Sequence, residues 1–331
     1  MTQTHKHVDA DKMMQKKVSV CIPSYNAARF IGKTIQSVLD SEYRNFEIII
    51  SDDASTDGTT NIVESLHDSR IRFYPNRRNE GPVRNWNRAI TKATGEYVSL
   101  LNHDDLYSPF WLMFAVRHLE KSPDIGWVAT AYRVIDAAGE ILRRISHFRT
   151  TGEIPKDVAF LEMAKLNGLG PGFVVRRKIL EEIGYYDESV GPGADTDLCL
   201  RLAARYPLYY SAGYAHTSWR LHQHNLTHRY GWLEQTRDGI RILEKIFSDP
   251  CLPPELARYK KRVFENFVHK GKEYDEEILQ HGDEEAYREL RTILERIKYG
   301  AEGDWTHIPE SMRAHGVPRA IVHRMKANYE Y

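Results

Sequence analysis

The chain has 331 residues, 41% hydrophobic and 28% charged, the make-up of a folded globular protein and not of a disordered one. Its 46 basic and 46 acidic side chains cancel, which excludes a global field that would recruit nucleic acid or an acidic membrane. Three cysteines, Cys21, Cys199 and Cys251, are odd in number and far apart, so they fit a reducing cytosol better than a disulfide framework.

No apolar run is long enough to span a bilayer. Residues 1–16 are polar, of mixed charge and without an export-type apolar stretch, and read as a flexible leader. From there the chain alternates short apolar runs with amphipathic segments. "VSVCIPSYN" is a buried strand running into a loop, and "ARFIGKTIQSVLDS" a helix with Phe30, Ile31, Ile35, Val38 and Leu39 on one face. "FEIIISDDAS", "IRFYPN" and "EYVSLLN" are the next strands. "TTNIVESLH" and "GPVRNWNRAITKAT" are the helices between them, the second starting after Gly81-Pro82 and stopped by Gly95. "SPFWLMFAVRHLEKSP" is a further helix with Ser108 as its cap. This order means a parallel sheet covered on both faces, with ligands at the carboxyl ends of the strands.

Past Pro123 the pattern loosens. "GWVATAYRVIDAAGEILRRI" reads as a hairpin, "GPGFVVRRKILEEIGYYDE" as strand, helix and turn, "DTDLCLRLAARYP" as a helix, and "LYYSAGYAHTSWRLHQHN" as strand and loop. From residue 231 to 331 the chain is charged and amphipathic, which suggests a helical C-terminal extension behind a domain spanning 17–230.

Two acidic pairs fall at strand ends, Asp52-Asp53 and Asp104-Asp105. Singly, each reads as a cap or turn. Together on one sheet edge they are costly without a counter-charge, and a hard divalent cation shared with a substrate pyrophosphate is the natural solution. Neither GxGxxG nor GxxxxGK[ST] occurs, so phosphates must be held by metal and basic side chains, with Arg77, Arg78 and Arg84 near the third strand's exit.

"VSVCIPSYNAARFIGKTIQSVL", "FEIIISDDASTDGT", "GEYVSLLNHDD" and "GADTDLCLRL" resemble the successive motifs of glycosyltransferase family 2, over about residues 17–225. The resemblance implies an α/β GT-A fold, with a mostly parallel, Rossmann-like central sheet flanked by helices. It further implies an inverting glycosyltransferase that uses a nucleoside diphosphate sugar and Mn²⁺ or Mg²⁺. Carried over by position, Pro23, Tyr25 and Asn26 line the nucleotide site and Asp53 accepts a hydrogen bond from the base. Asp104 contacts ribose or sugar, and Asp105 ends a DXD-like motif and holds the metal. Asn102 and His103 stand where many relatives carry further acids. Asp195 matches the aspartate of the family's "ED" motif and is the favoured catalytic base, with Asp197 competing and Ala194 in place of the usual glutamate. "WRLHQHNLT" resembles the segment that closes over the diphosphate, so His222 meets metal or phosphate and Arg220 neutralises the leaving group. Trp86, Trp111 and Trp127 read as core, while Trp219 and Trp232 are the stacking candidates.

The expected reaction moves a sugar, from a UDP-sugar by preference, to a hydroxyl of a glycan or lipid-linked acceptor in cell-envelope polysaccharide synthesis. The expected location is the cytoplasm, with peripheral contact at the inner membrane face through the basic "RAIVHRMKANY", and with dimerisation through the C-terminal helices. The competing readings are a nucleotidyltransferase, which would want a glycine-rich basic loop after the first strand, and a non-catalytic nucleotide-sugar or glycan-binding pseudo-transferase, suggested by Ala194 alone.

Overall fold

The computed structural model describes residues 15–165, 169–223, 225, 232–267 and 292. Four parallel strands form one half of the sheet: β1 (Val18–Ser24), β2 (Phe46–Asp52), β3 (Ile71–Pro75) and β4 (Tyr97–Leu100), in the order β3-β2-β1-β4. Between them run α1 (Ile31–Leu39), α2 (Thr59–Glu64) and α3 (Pro82–Thr91). Their apolar runs are buried on both faces. Val18, Val20, Ile22, Ile48 and Ile50 face one apolar cluster, and Cys21 and Ile49 the other. That is the signature of a parallel sheet sandwiched between helices.

The other half of the sheet is mixed. β9 (Val174–Arg176) runs antiparallel to both β4 and β6 (Trp127–Ile135), and β10 (Leu208–Arg220) runs parallel to β6. β5 (Leu106–Tyr107) closes that side by antiparallel pairing with the end of β10. The expected hairpin is present, with β7 (Ile141–Ile145) folded back on β6. β8 (Gly152–Ile154) and α5 (Lys156–Met163) form in a stretch to which the sequence reading assigned no element; α5 buries Ala159, Phe160 and Met163.

α1 and α4 (Trp111–Lys121) cover one face of the sheet. α3, α5, α6 (Arg177–Ile183) and α7 (Ala194–Arg205) cover the other. The described part of the C-terminal region, α8 (Trp232–Ser248) and α9 (Pro254–Ala257), joins this second cluster through Ile242, Leu243, Ile246 and Leu256. It therefore shares the core of the sheet domain. Among the described residues no helix is long and apolar enough to cross a membrane. The "RAIVHRMKANY" stretch lies outside the described residues.

Two expected punctuation marks do different work. Ser108 does not cap α4, whose first turn follows Phe110; its hydroxyl pairs with His216 Nδ1 at 3.2 Å and its N–H donates to the His216 carbonyl. Gly95 does not end α3, which stops at Thr91. It lets the chain pass close to β1, and its N–H donates to Ser19 Oγ at 2.9 Å. A Cβ at position 95 would lie 2.5 Å from the Lys17 carbonyl oxygen and 2.9 Å from Ser19 N, both backbone atoms that cannot swing aside. Gly95→Ala is therefore expected to lower stability by about 1–3 kcal/mol. Urea denaturation of the two proteins measures it, and an unchanged midpoint would refute the close approach.

Candidate active site

The carboxyl ends of β1, β2 and β4 lie side by side, with Ser24 paired to Asp52 and Cys21 to Leu100. Pro23 is buried in β1, while Tyr25 is 42% exposed just beyond it. Asn26 sits at φ 47°, a left-handed conformation that asparagine tolerates better than most residues. Its Oδ1 accepts from Thr56 N at 2.9 Å and its N–H donates to Ser55 Oγ at 2.8 Å. Thr59 and Asp57 receive the N–H groups of Ala27 and Ala28. The loops after β1 and β2 are thus stitched into one floor.

The first acidic pair is occupied by that stitching. Asp52 accepts from Ser24 Oγ, Ser55 N and Ser55 Oγ at 2.6–2.9 Å. Asp53, only 2% exposed, accepts from Asn76 Nδ2, Glu80 N and Gly81 N at 2.8–2.9 Å. It fixes the loop between β3 and α3, where Gly81 adopts φ 89° before Pro82 opens the helix. Arg84 is exposed on α3 and pairs with Glu188 at 2.8 Å. Arg77 and Arg78 are exposed.

The second acidic pair is neutralised from the far end of the chain. The β5–β10 ladder pairs Leu106 with Ser218 and Tyr107 with Thr217, and its continuation sets Arg220 beside Asp104. The Arg220 N–H donates to Asp105 Oδ1 and its Nε to the Asp104 carbonyl, both at 2.8 Å; its Nη1 reaches the Asp136 and Ala137 carbonyls. Arg220 is 1% exposed and lies 5.0 Å from the Phe30 ring. Asp105 is completely buried, and Asn102 Nδ2 donates to its Oδ2 at 3.1 Å. Burial first, and then the Asp104 charge, push the Asp105 carboxyl well above the usual carboxylate range, against the pull of Arg220 and Asn102.

Asp104 is treated differently. Its Oδ2 meets His222 Nε2 at 2.9 Å and Asn225 Nδ2 at 3.2 Å. Burial works to raise its pKa, but the His222 hydrogen bond and the charges of His103 and His222 outweigh it and hold the carboxyl below its ordinary value. The His222 ring packs 4.8 Å from Phe30, and its backbone N–H donates to Asn225 Oδ1, which fixes the imidazole against Asp104. His103 holds the Pro23 carbonyl through Nδ1 at 3.3 Å. His224 and His228 lie outside the described residues.

The favoured base opens on a different wall. A recess of about 480 Å³, open solvent at its mouth included, is lined by Trp86, Asn102, the Leu169–Phe173 loop, Tyr186, Asp195 and Cys199. Asp195, in the first turn of α7, is exposed to this recess yet crowded by protein, and burial raises its pKa against the hydrogen bonds from Thr196 N and Oγ. Asp197 is 1% exposed, with Arg201 Nε at 2.8 Å and Lys245 Nζ at 2.7 Å. The two aspartates that the sequence leaves in competition thus differ sharply: one faces space, the other two cations. Asn102 belongs both to the recess wall and to the acidic pair, so the two parts of the site touch.

A family model described as glycosyl transferase family 2 matches residues 19–184, half of the chain. The chain belongs to that family. It is 37% identical over 92 residues, 27% of this chain and 30% of that protein, to a Campylobacter jejuni protein named GalNAc(5)-diNAcBac-PP-undecaprenol beta-1,3-glucosyltransferase. Of the first curated relatives it matches, the chain spans only 26% to 45% of their length. Among solved structures, S. aureus TarS 1-349 in complex with UDP-GlcNAc superimposes with a TM-score of 0.65 at 19% identity, over 94% of this chain and 88% of that one. The Pyrobaculum calidifontis mannosyltransferase PcManGT in complex with GDP-Man and Mn²⁺ gives 0.58 at 18%, over 98% and 92%. These likenesses establish the GT-A fold.

In this family 2 chain, two groups of the sequence-predicted residues stand apart from the β1–β2 floor. Asp104, Asp105, Arg220 and His222 are brought into direct contact, while Asp195 stands on the recess. Arg84 joins neither; its guanidinium goes to Glu188. Trp86, read as core, is half-buried on the recess with its ring edge-on to Tyr186 at 5.1 Å. Trp219 is half-buried and is not on that wall, and the Trp232 side chain lies outside the described residues. Asn225 lies in the "WRLHQHNLT" segment that the sequence marks, without a role of its own there, and Phe30 reads from the sequence only as part of a helix face. The buried Arg220 guanidinium holds the Asp104, Asp136 and Ala137 carbonyls beside the acidic pair, so Arg220→Met is expected to cost about 3 kcal/mol or more, with Arg220→Lys recovering only part because lysine lacks the guanidinium fork. Chemical denaturation separates the three proteins; equal midpoints would contradict the buried arrangement.

Proposed function

We propose that this enzyme transfers a sugar, with inversion, from a nucleoside diphosphate sugar, a UDP-sugar by preference, to a hydroxyl of a glycan or lipid-linked acceptor in cell-envelope polysaccharide synthesis. The observation that carries this reading is Asp195, a carboxylate open on a recess beside the acidic pair while its neighbour Asp197 is fully paired. Asp195 takes the proton of the acceptor hydroxyl as that oxygen bonds to the anomeric carbon. The bond from that carbon to the diphosphate oxygen breaks on the opposite side, and the nucleoside diphosphate leaves with the electron pair. The complexes of TarS with UDP-GlcNAc and of PcManGT with GDP-Man support a nucleotide-sugar donor, and the undecaprenol-linked substrate in the Campylobacter relative's name supports a lipid-linked glycan acceptor. Such an acceptor sits at a membrane, so cytoplasmic placement with peripheral contact at the inner membrane face belongs to the same reading.

For the metal, Asp104 replaces Asp105 in our reading. Both Asp105 oxygens already accept, from the Arg220 backbone N–H and Asn102 Nδ2, whereas the His222 and Asn225 donors both meet a single Asp104 oxygen, Oδ2. Asp104 and His222, hydrogen-bonded to each other at 2.9 Å, would supply one carboxylate oxygen and one imidazole nitrogen, a set that suits Mn²⁺ better than the oxygen-seeking Mg²⁺. Among the described residues no group of three or more acids, histidines or cysteines gathers as for a metal, so the remaining ligands would be diphosphate oxygens and water, as is usual for such sites. When bound, the ion would offset charge on the leaving diphosphate. Pro23, Tyr25, Asn26 and Asp53 form the floor on which the nucleoside is proposed to lie, and Arg220 acts from behind the acidic pair.

Turnover of UDP-, GDP- and dTDP-sugars with and without Mn²⁺ tests the reaction; failure with every donor would refute it. Asp195→Asn should lower transfer by at least about 100-fold with donor affinity unchanged. If binding falls equally, Asp195 is not the base. Because the base works deprotonated and burial raises its pKa, activity should rise with pH along an acid limb centred above the ordinary aspartate value of about 3.9. An acid limb at or below that value would contradict the assignment. Asp104→Ala should weaken Mn²⁺-dependent UDP binding by more than about tenfold in calorimetric titration, and an undiminished Mn²⁺ effect would return the ligand role to Asp105.

A further inference from the structure

The segment that carries Asp195 is tied down from α8, beyond the part of the chain that the family model covers. Lys245 of α8 places its Nζ 2.6 Å from Asp187 Oδ2 and 2.7 Å from Asp197 Oδ1. Asp187 opens the 3₁₀ turn Glu188–Gly193 that leads into α7, and Asp197 lies two residues past Asp195. One ammonium therefore joins both ends of the stretch from which Asp195 projects. Burial opposes ionisation of Asp187, yet the Lys245 hydrogen bond and those of Ser189 hold its carboxyl down at about 2.

Two further observations show that the contact is built and not incidental. Arg201 grips the same segment from inside, with Nε on Asp197 and its terminal nitrogens on the carbonyls of Ile183, Gly184 and Tyr185 at 2.6–3.0 Å. The helix also approaches the turn so closely that side chains there would collide. A Cβ on Gly193 would lie 2.7 Å from Ile242 Cδ1, and one on Gly191, at φ 65°, 3.2 Å from Asp238 Oδ2. α8 thus acts as a splint along the turn, and Lys245 is the charged pin that crosses it.

The geometry points to Lys245 as a positioning residue for the transfer reaction, stapling Asp187 to Asp197 and so fixing the direction in which Asp195 faces the recess. It touches no reacting atom and acts through the two carboxylates. The inference rests on the reading of Asp195 as the base, so its test has one arm that needs no turnover. In Lys245→Met, backbone hydrogen exchange over residues 186–198 should become faster than in the wild type, and Lys245→Arg should restore it. With a donor that the wild type turns over, Lys245→Met should lower kcat by about 10- to 100-fold, the size of effect expected when a reacting group is misplaced by an ångström, with donor KM unchanged. Lys245→Arg should recover most of that loss.

Asp187→Asn cuts the staple at its more exposed end and guards against a Lys245 variant that fails to fold. It should reproduce the faster exchange in part and add little to Lys245→Met in the double variant. Unchanged exchange over 186–198 in either folded variant would overturn the staple. Equal changes in kcat and donor KM would overturn the positioning role. If the wild type turns over no sugar nucleotide, the transferase reading fails while the exchange arm still decides whether Lys245 fixes the segment.

Discussion

The structure turns on the burial of two consecutive carboxylates at the end of β4. Asp104 and Asp105 are 7% and 0% exposed, and like charges that close together cannot both remain ionised in a dry site without compensation. The compensation comes from the other end of the domain: Arg220 from β10, His222 and Asn225 from the loop after it. That requirement gives β5 a purpose. Two residues long, it holds β10 in a register where Arg220 arrives at Asp104, while the mixed half of the sheet joins the parallel half through β9 on β4.

The same constraint sorts the aspartates by what their oxygens have left to do. Asp52, Asp53, Asp105 and Asp197 are buried, and each is engaged by donors that build loops or brace helices. Asp53 anchors the loop into α3, and Asp197 receives Arg201 and Lys245. Asp104 and Asp195 differ: one is met on a single oxygen by an imidazole and an amide, the other faces open space. The reading of the site follows from this difference. Sequence motifs mark where carboxylates cluster, but the donors around each oxygen decide which of them can take a ligand or a proton.

This explains how far the sequence could be read. The alternation of strand and helix through β4 was legible because it depends on local periodicity, and both acidic pairs were legible because they end apolar runs. Which residue of each pair does what was not. Asp104 and Asp105 lie in the turn between β4 and β5, and the direction each carboxyl takes is set by contacts with β10 and the loop after it, more than 100 residues later. Position 102 shows the same limit. Asparagine there looked like a lost acid, yet Asp105 Oδ2 needs a donor, and a carboxylate would have set lone pairs against lone pairs. Gly95 and Ser108 carried the signals of a helix stop and a helix cap, and both were claimed by partners on distant strands.

The core also changes what a domain boundary means in this chain. The family-matched residues 19–184 include the sheet edge and the acidic pair but end before Asp195. The proposed base therefore comes from α7, which packs against α5 and α8 in the apolar cluster on that face of the sheet. Ile242, Leu243 and Ile246 of α8 lie in the same apolar cluster as Leu198 and Leu202 of α7, so the two helices cannot shift independently without opening that cluster. Geometry at the recess is thus a property of two packed layers. The sheet edge sets where the leaving group would sit, the helical layer sets where the proposed base stands, and Asn102, in contact with Asp105 while lining the recess, is the residue through which the two placements meet.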